Sequence, residues 1–162
     1  MSTLTWRFIA EKDIASRAIA WFGGGSWSHI DVRNPDGTYT GAREDGGYIQ
    51  RPADYIKPAH WCFFTLEVTA EQEIAFWKSS NAKLGDAYDK LAIWGFLLGR
   101  DWAEPGKWIC SEAQAHNLTC AKIIHPLYLS ANRITPNDMT LILSSIGGSW
   151  TKWDVALSTP AI

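Results

Sequence analysis

The chain has 162 residues, of which 46% are hydrophobic and 20% are charged, and its formal net charge is −2. This composition is typical of one globular domain with a real core, predicted over residues 1–162, and it excludes a disordered chain. Acidic and basic residues are interspersed rather than gathered in a basic stripe. We therefore expect no nucleic-acid partner.

Strands and helices alternate irregularly along the chain. Aromatic and β-branched content predicts strands over 4–11, 46–52 and 60–68. Apolar residues at helical spacing predict helices over 12–22, 69–85, 86–99, 109–120 and 134–147. The stretch 99–108 is predicted as a loop, and 152–157 as a last strand or a surface segment. Without a regular βαβ alternation, the pattern favours an α+β fold with a mostly antiparallel sheet.

Local signals set several of these boundaries. Thr69 is predicted as the N-cap of the helix over 69–85 and Gly85 as its C-terminal stop. Thr135 and Pro136 have the residue types of an N-cap and a first helical position. The Asn-Pro-Asp-Gly run at 34–37 predicts a turn, and therefore a β-hairpin over 27–42.

No apolar run is long enough to span a bilayer. The longest, over 91–99, has about half of the ~20 residues required, so we expect no integral membrane segment. The N-terminus lacks the basic region and apolar stretch of a secretory signal. Three cysteines without framework spacing are typical of reduced thiols. These observations predict a cytoplasmic location.

Cys110 is the candidate nucleophile. It lies in the first turn of a predicted helix, where free N–H groups and the helix dipole favour a thiolate. The same N–H groups are suited to hold the oxyanion of an acyl-transfer intermediate. The alternative is a structural cysteine, which is common among buried thiols. Cys62 and Cys120 are interpreted as core or inert residues.

His29 is the candidate base. It follows a glycine-rich loop on a predicted strand, a place where catalytic groups are often displayed. Asp31 shares its strand face and is therefore placed to orient the imidazole. His116 falls on a different side of the Cys110 helix, and His60 and His125 are interpreted as surface or capping residues. The spacings contain no CxxC, HExxH or paired-histidine motif, so we expect neither a metal site nor another cofactor.

Four motifs in order resemble the permuted papain-like cysteine hydrolases, the YiiX-like branch of the NlpC-type superfamily. They are listed in chain order: Ser28-His29-Ile30, Leu84-Gly85 with Tyr88-Asp89, Cys110-Ser111-Glu112, and Thr135-Pro136 with Asp138. In that branch the histidine strand precedes the cysteine helix. The resemblance runs from about residue 5 to 146. It implies a circularly permuted papain-like α+β fold, with an antiparallel sheet packed against helices.

The resemblance also bears on the third catalytic residue. Many relatives place a Glu before an Ala on the strand after the histidine, a position that is Gly41 before Ala42 here. If residues 34–37 form a four-residue loop with Arg33 paired to Thr38, Ala42 faces His29 and Glu44 lies diagonally beyond. Phage and prophage relatives carry an acid two residues after the histidine, which matches Asp31. We therefore predict Asp31 as the third member, with Glu44 as the runner-up.

The implied activity is hydrolysis or transfer of an acyl group on an amide, peptide or ester. Cys110 would attack, His29 would move the proton, and an acyl-enzyme would form. Tyr88 is a candidate for lining the substrate site, the alternative being a core tyrosine. The predicted partner is a peptide or amide substrate, with peptidoglycan stem peptides as one class. A phage-encoded member would act in the host cytoplasm or the virion.

Two alternatives to this hydrolase stay open. One is a lipid acyltransferase or esterase that uses the same cysteine and histidine, which the apolar stretch over 91–99 would suit. The other is a non-catalytic binding or virion structural module that keeps the fold without activity.

Overall fold

Eight strands and three helices have both ends within the described part of the chain. The structure is a computed structural model and describes residues 1–12, 17, 19–21, 24–91, 104–126 and 134–151. The strands are β1 Ser2–Ala10, β2 His29–Arg33, β3 Tyr39–Arg43, β4 Gly47–Arg51, β5 His60–Val68, β6 Ala87–Tyr88, β7 Lys107–Trp108 and β8 Ser149–Trp150. The helices are α1 Ala70–Asn81, α2 Cys110–Cys120 and α3 Pro136–Ser144.

Six of the strands form one antiparallel sheet in the order β4-β3-β2-β1-β5-β8. The other two, β6 and β7, pair in parallel as a small separate ribbon. The fold is therefore α+β with a mostly antiparallel sheet, as the sequence predicts. β1 has neighbours on both sides because its residues pair with β2 and, over its full length, with β5.

The two faces of β1 have different surroundings, because side chains alternate along a strand. Trp6 and Phe8 belong to the main apolar core, together with residues of β5 and all three helices. The Trp6 indole N–H donates to the amide oxygen of Gln114 on α2 at 3.1 Å, which fixes that helix against the sheet. Arg7 lies on the other face, opposite Asp31 of β2, and both are buried.

The loop between β2 and β3 is shorter than the predicted four-residue loop over 34–37. The Asn34 N–H donates to the Thr38 carbonyl at 2.8 Å, and Gly37 adopts a φ of +86°. The loop therefore has three residues, with glycine in the left-handed position. Arg33 pairs with Tyr39 rather than with Thr38, so the predicted register is wrong by one residue.

Helix boundaries follow the predicted caps more closely at the start than at the end. Thr69 caps α1 through a hydrogen bond from Gln72 N–H, and Thr135 caps α3 with Pro136 as its first residue. The end predicted at Gly85 is wrong, because α1 stops at Asn81. Three residues lie between this end and Gly85.

The predicted second helix over 86–99 is also wrong at its start, where Ala87 and Tyr88 pair with β7. Lys107 and Trp108 belong to a strand and not to the predicted loop. Most of 12–22, and all of 92–99 and of 152–157, lie outside the described residues. Within the part of the chain that is described, no helix combines the length and apolarity needed to cross a bilayer.

Candidate active site

Cys110 is the first residue of α2, as predicted, and only 6% of its surface is exposed. Glu112 caps the helix start, where its carboxylate accepts the Ile109 N–H at 3.3 Å. The backbone groups of Ile30 and Ser111 lower the pKa of the Cys110 thiol and so favour its thiolate form. The sulfur therefore lies between the helix N-terminus and the backbone of β2.

Cys110 and His29 form a buried pair whose charges stabilise each other. Burial alone would raise the pKa of the Cys110 thiol, but the His29 charge and the hydrogen bonds hold it below its ordinary value. Burial would likewise lower the pKa of His29, but the Cys110 and Asp31 charges raise it to about 9. The two shifts have one physical cause, since each charge stabilises the other where water is excluded. Both shifts favour a thiolate beside an imidazolium.

Asp31 is the acid that the structure brings to His29. Its Oδ2 lies 3.7 Å from His29 Nε2, an ion-pair distance rather than a hydrogen bond. The carboxylate is held by two other residues that the sequence analysis missed. The Arg7 guanidinium donates to both oxygens, at 3.3 and 3.0 Å, and the Tyr55 hydroxyl donates to Oδ2 at 2.6 Å. Burial would raise the pKa of Asp31, but His29 and Arg7 keep it below its ordinary value.

Arg7 is itself fixed from several directions. Its guanidinium carbon lies 3.6 Å from the centre of the Tyr39 ring and 5.2 Å from that of Tyr55. Nη1 donates to the Ala53 carbonyl at 3.0 Å. A buried guanidinium placed over aromatic faces and hydrogen-bonded to a carboxylate has little freedom to move. Asp31 is thus anchored to the sheet independently of His29.

Glu44, the runner-up acid, lies elsewhere. Its carboxylate pairs with Lys90 Nζ at 2.7 Å, and both side chains are more than 60% exposed. The structure does not bring Glu44 to His29, while Asp31 is at ion-pair distance. A Cβ atom on Gly41 would lie 3.0 Å from Asp31 Cβ, so the absence of a side chain at 41 leaves room for Asp31.

Tyr88, the candidate lining residue, lies close to the cysteine. Burial raises its pKa and the negative charge of Cys110 raises it further, which places the phenol in the electrostatic field of the thiolate. Tyr88 also packs against Tyr48 and Ala113 in a small second apolar cluster. Tyr88 therefore packs in this cluster and also lies close to the candidate nucleophile.

The remaining cysteines and histidines have different surroundings. Cys62 is a core residue, as predicted, and burial raises its pKa to about 12. Of the two interpretations of Cys120, core or inert, the core one is wrong, because the side chain is exposed beside His116. His60 and His125 are exposed, in agreement with their interpretation as surface residues. Within the described ranges, no three His, Cys, Asp or Glu side chains group as a metal site.

Comparison with models of protein families and with curated protein sequences found no match. The site consists of a thiol at a helix N-terminus, a buried imidazole whose charge is coupled to it, and an anchored carboxylate beside that imidazole.

Proposed function

We propose that the protein is a cysteine hydrolase that cleaves an amide or peptide bond, with Cys110 as nucleophile and His29 as acid–base residue. The observation that carries this proposal is the buried Cys110–His29 pair, whose pKa values are shifted in opposite directions. A structural cysteine does not need a charged partner, whereas a nucleophilic one is activated by it.

The geometry suits the following reaction. The Cys110 thiolate attacks the substrate carbonyl carbon, and N–H groups at the start of α2 stabilise the oxyanion. The His29 imidazolium gives its proton to the departing amine, which leaves an acyl-enzyme on the sulfur. Neutral His29 then takes a proton from water, which attacks the thioester and releases the acid. The sulfur leaves as a thiolate while His29 keeps this proton, which restores the thiolate–imidazolium pair.

Asp31 has a positioning role in this proposal. It lies on the Nε2 side of His29 and favours the imidazolium electrostatically. Arg7 and Tyr55 hold the carboxylate, so its position does not depend on the protonation state of His29. Tyr88, near the thiolate, is placed to contact the bound substrate.

The order of the elements supports a permuted papain-like arrangement. β2, which carries His29, precedes α2, which carries Cys110, and the helix packs against an antiparallel sheet. This is the order expected from the resemblance to the YiiX-like branch. That resemblance favours peptide or amide substrates, including peptidoglycan stem peptides, and a cytoplasmic or virion location.

The test is the pH dependence of Cys110 alkylation by iodoacetamide, measured in a Cys120→Ser background because Cys120 is exposed. We expect the titration to begin well below the free-thiol value of about 8.5. In His29→Ala the pKa should rise above that value, since burial remains and the compensating charge is gone. His116→Ala is the matched control, and it should leave the titration unchanged.

The opposite result is a slow thiol that titrates normally and does not respond to His29→Ala. That outcome would refute the hydrolase and favour the binding or structural module. A positive outcome justifies a screen of amide, peptide and ester substrates, with Cys110→Ser as the inactive control. Turnover of lipid esters without amide cleavage would favour the acyltransferase alternative.

A further inference from the structure

A second set of reactive side chains lies in a groove between α1 and α2. The groove has a volume of about 600 Å³ and an apolar floor formed by Ala75, Ala82 and Trp108. This size is typical of small-molecule sites. Its thiol, Cys120, is ten residues along α2 from Cys110, a separation of about 15 Å at 1.5 Å per helical residue. The groove is therefore distinct from the proposed active site.

The thiol in this groove has a histidine beside it. Cys120 is the exposed one of the three cysteines, all of which are described. His116 lies one helical turn earlier, with Nδ1 at 3.6 Å and Nε2 at 4.0 Å from the sulfur. The imidazole also packs edge-on against the Trp108 ring at 5.1 Å, which limits its movement. Burial, and then the Lys83 charge, lowers the pKa of His116, so the ring is neutral at pH 7 and able to accept a proton.

The charges lining the groove favour an anionic ligand. Lys83 is almost fully buried, and its ammonium donates to the Ser79 carbonyl at 2.9 Å and to Asn117 Oδ1 at 2.7 Å. Burial lowers its pKa to about 8, while Cys120, Asp86 and Glu112 partly oppose this shift, so it is charged at pH 7.

Two further charged residues line the groove. Lys78 is exposed and adds a second cation. The carboxylate of Asp86 accepts the Trp108 indole N–H at 2.8 Å. A ligand in the groove therefore lies in the field of two cations, of which Lys78 is exposed and Lys83 is hydrogen-bonded internally, and beside one hydrogen-bonded acid.

We propose that Cys120 is a thiol-modification site, at which this groove takes a small anionic disulfide and forms a mixed disulfide with it. The Cys120 thiol gives its proton to His116, and the sulfur attacks one sulfur of the bound disulfide. A new S–S bond forms as the old one breaks. The departing thiolate takes the proton from His116 and leaves as a thiol. Cys120 is oxidised by the ligand disulfide, which is reduced, so no further oxidant is required.

The experiment uses the full chain carrying Cys110→Ser, so that its outcome does not depend on the proposed hydrolase. Oxidised glutathione, a tripeptide disulfide with several carboxylates, is the anionic probe, and hydroxyethyl disulfide is the neutral one. Mixed-disulfide formation is followed by intact mass and located by peptide mapping. We expect one glutathionyl group on Cys120, and none after Cys120→Ser.

Two variants test the groove chemistry. His116→Gln should slow the reaction at least about threefold with both probes, because the thiol loses its neighbouring base. Lys78→Glu should slow only the anionic probe. Lys57→Glu changes the net charge equally outside the groove and should leave both rates unchanged. Each substituted residue is exposed, and folding is checked by circular dichroism.

Three results would each overturn the proposal. The first is absence of the adduct in the folded protein. The second is a His116→Gln rate equal to that of the parent. The third is a Lys78→Glu rate with oxidised glutathione that matches the Lys57→Glu rate.

Discussion

Asp31→Asn tests what the negative charge of Asp31 contributes to stability, apart from the shape of the side chain. Asparagine keeps the shape of the side chain and removes its charge. Asp31 Oδ2 lies 3.0 Å from Arg7 Nη2 and 3.7 Å from His29 Nε2, and all three side chains are buried. At an effective dielectric constant of about 20, a unit charge pair at the longer distance interacts by roughly 4 kcal/mol. In the variant, the buried Arg7 and His29 cations therefore have no negative charge at residue 31 to balance them.

The expected consequence for folding is large. Removing one partner of a buried ion pair costs about 3–5 kcal/mol, because the other charge stays buried and unpaired. We expect Asp31→Asn to lower the free energy of unfolding by that amount, as measured by urea denaturation at pH 7. The pKa of Asp31 is lowered by folding, so its stabilisation is present above about pH 4. The wild type should lose this stabilisation as the pH falls below 4. The stability of the variant should not show this part of the pH dependence, because residue 31 no longer titrates.

A double-mutant cycle with Arg7→Met tests whether the pair is responsible. The doubly substituted protein has no unpaired charge in the Arg7–Asp31 pair, so its loss of stability should be smaller than the sum of the single losses by about 1–3 kcal/mol. Glu44→Gln is the matched control, because its carboxylate pairs with Lys90 at the surface. Its effect should stay within about 0.5 kcal/mol. Additive losses, or an Asp31→Asn loss below about 1 kcal/mol, would refute this reasoning.

Two further substitutions give expected results. In Cys110→Ser the pKa of His29 should fall well below 9, because the thiolate charge that raises it is gone while burial remains. An NMR titration of the His29 ring protons measures this fall, and an unchanged titration would contradict the coupling. Tyr48→Phe should destabilise the fold by about 1–3 kcal/mol in urea, because the hydroxyl accepts from Asn117 at 3.0 Å and bonds Ser80 at 2.8 Å in the core. A loss below about 0.5 kcal/mol would show that these groups find other partners.

The sequence is informative wherever a local signal determines a local structure. β1 and β5 alternate or are rich in strand formers, and the helix starts at Thr69 and Thr135 have capping residues. The position of Cys110 in a first helical turn is likewise a local property. The end of α1 at Asn81, ahead of Gly85, shows the weaker side of such signals, because a glycine permits a turn without determining where it begins.

The anchoring of Asp31 could not be predicted in this way. Arg7 meets Asp31 because β1 and β2 are neighbours in a particular register, and Tyr55 reaches the same carboxylate from the segment between β4 and β5. Neither contact leaves a spacing motif. The sequence nevertheless contains one indication that Arg7 has an acidic partner. Arg7 lies between Trp6 and Phe8 on a predicted core strand, and a buried arginine requires a partner for its charge.

Gly41 connects the hairpin geometry to the choice of acid. Between the described strands β2 and β3, the registered pairs are Val32 with Thr40 and Arg33 with Tyr39. The register ends there, and the backbone of Ile30, two residues before Val32, favours the thiolate of Cys110. Beyond this point Gly41 passes so close that a Cβ atom would lie 3.0 Å from Asp31 Cβ and 3.3 Å from the Ile30 carbonyl oxygen.

A side chain at position 41 and the Asp31 side chain therefore compete for one space. In this chain the acid near His29 is on β2, at residue 31. A carboxylate there requires the smallest residue at 41 and a cation to hold its charge, which Arg7 supplies from β1. The positions of Gly41, Asp31 and Arg7 therefore depend on one another. This dependence supports Asp31 as the positioning acid of the proposed hydrolase.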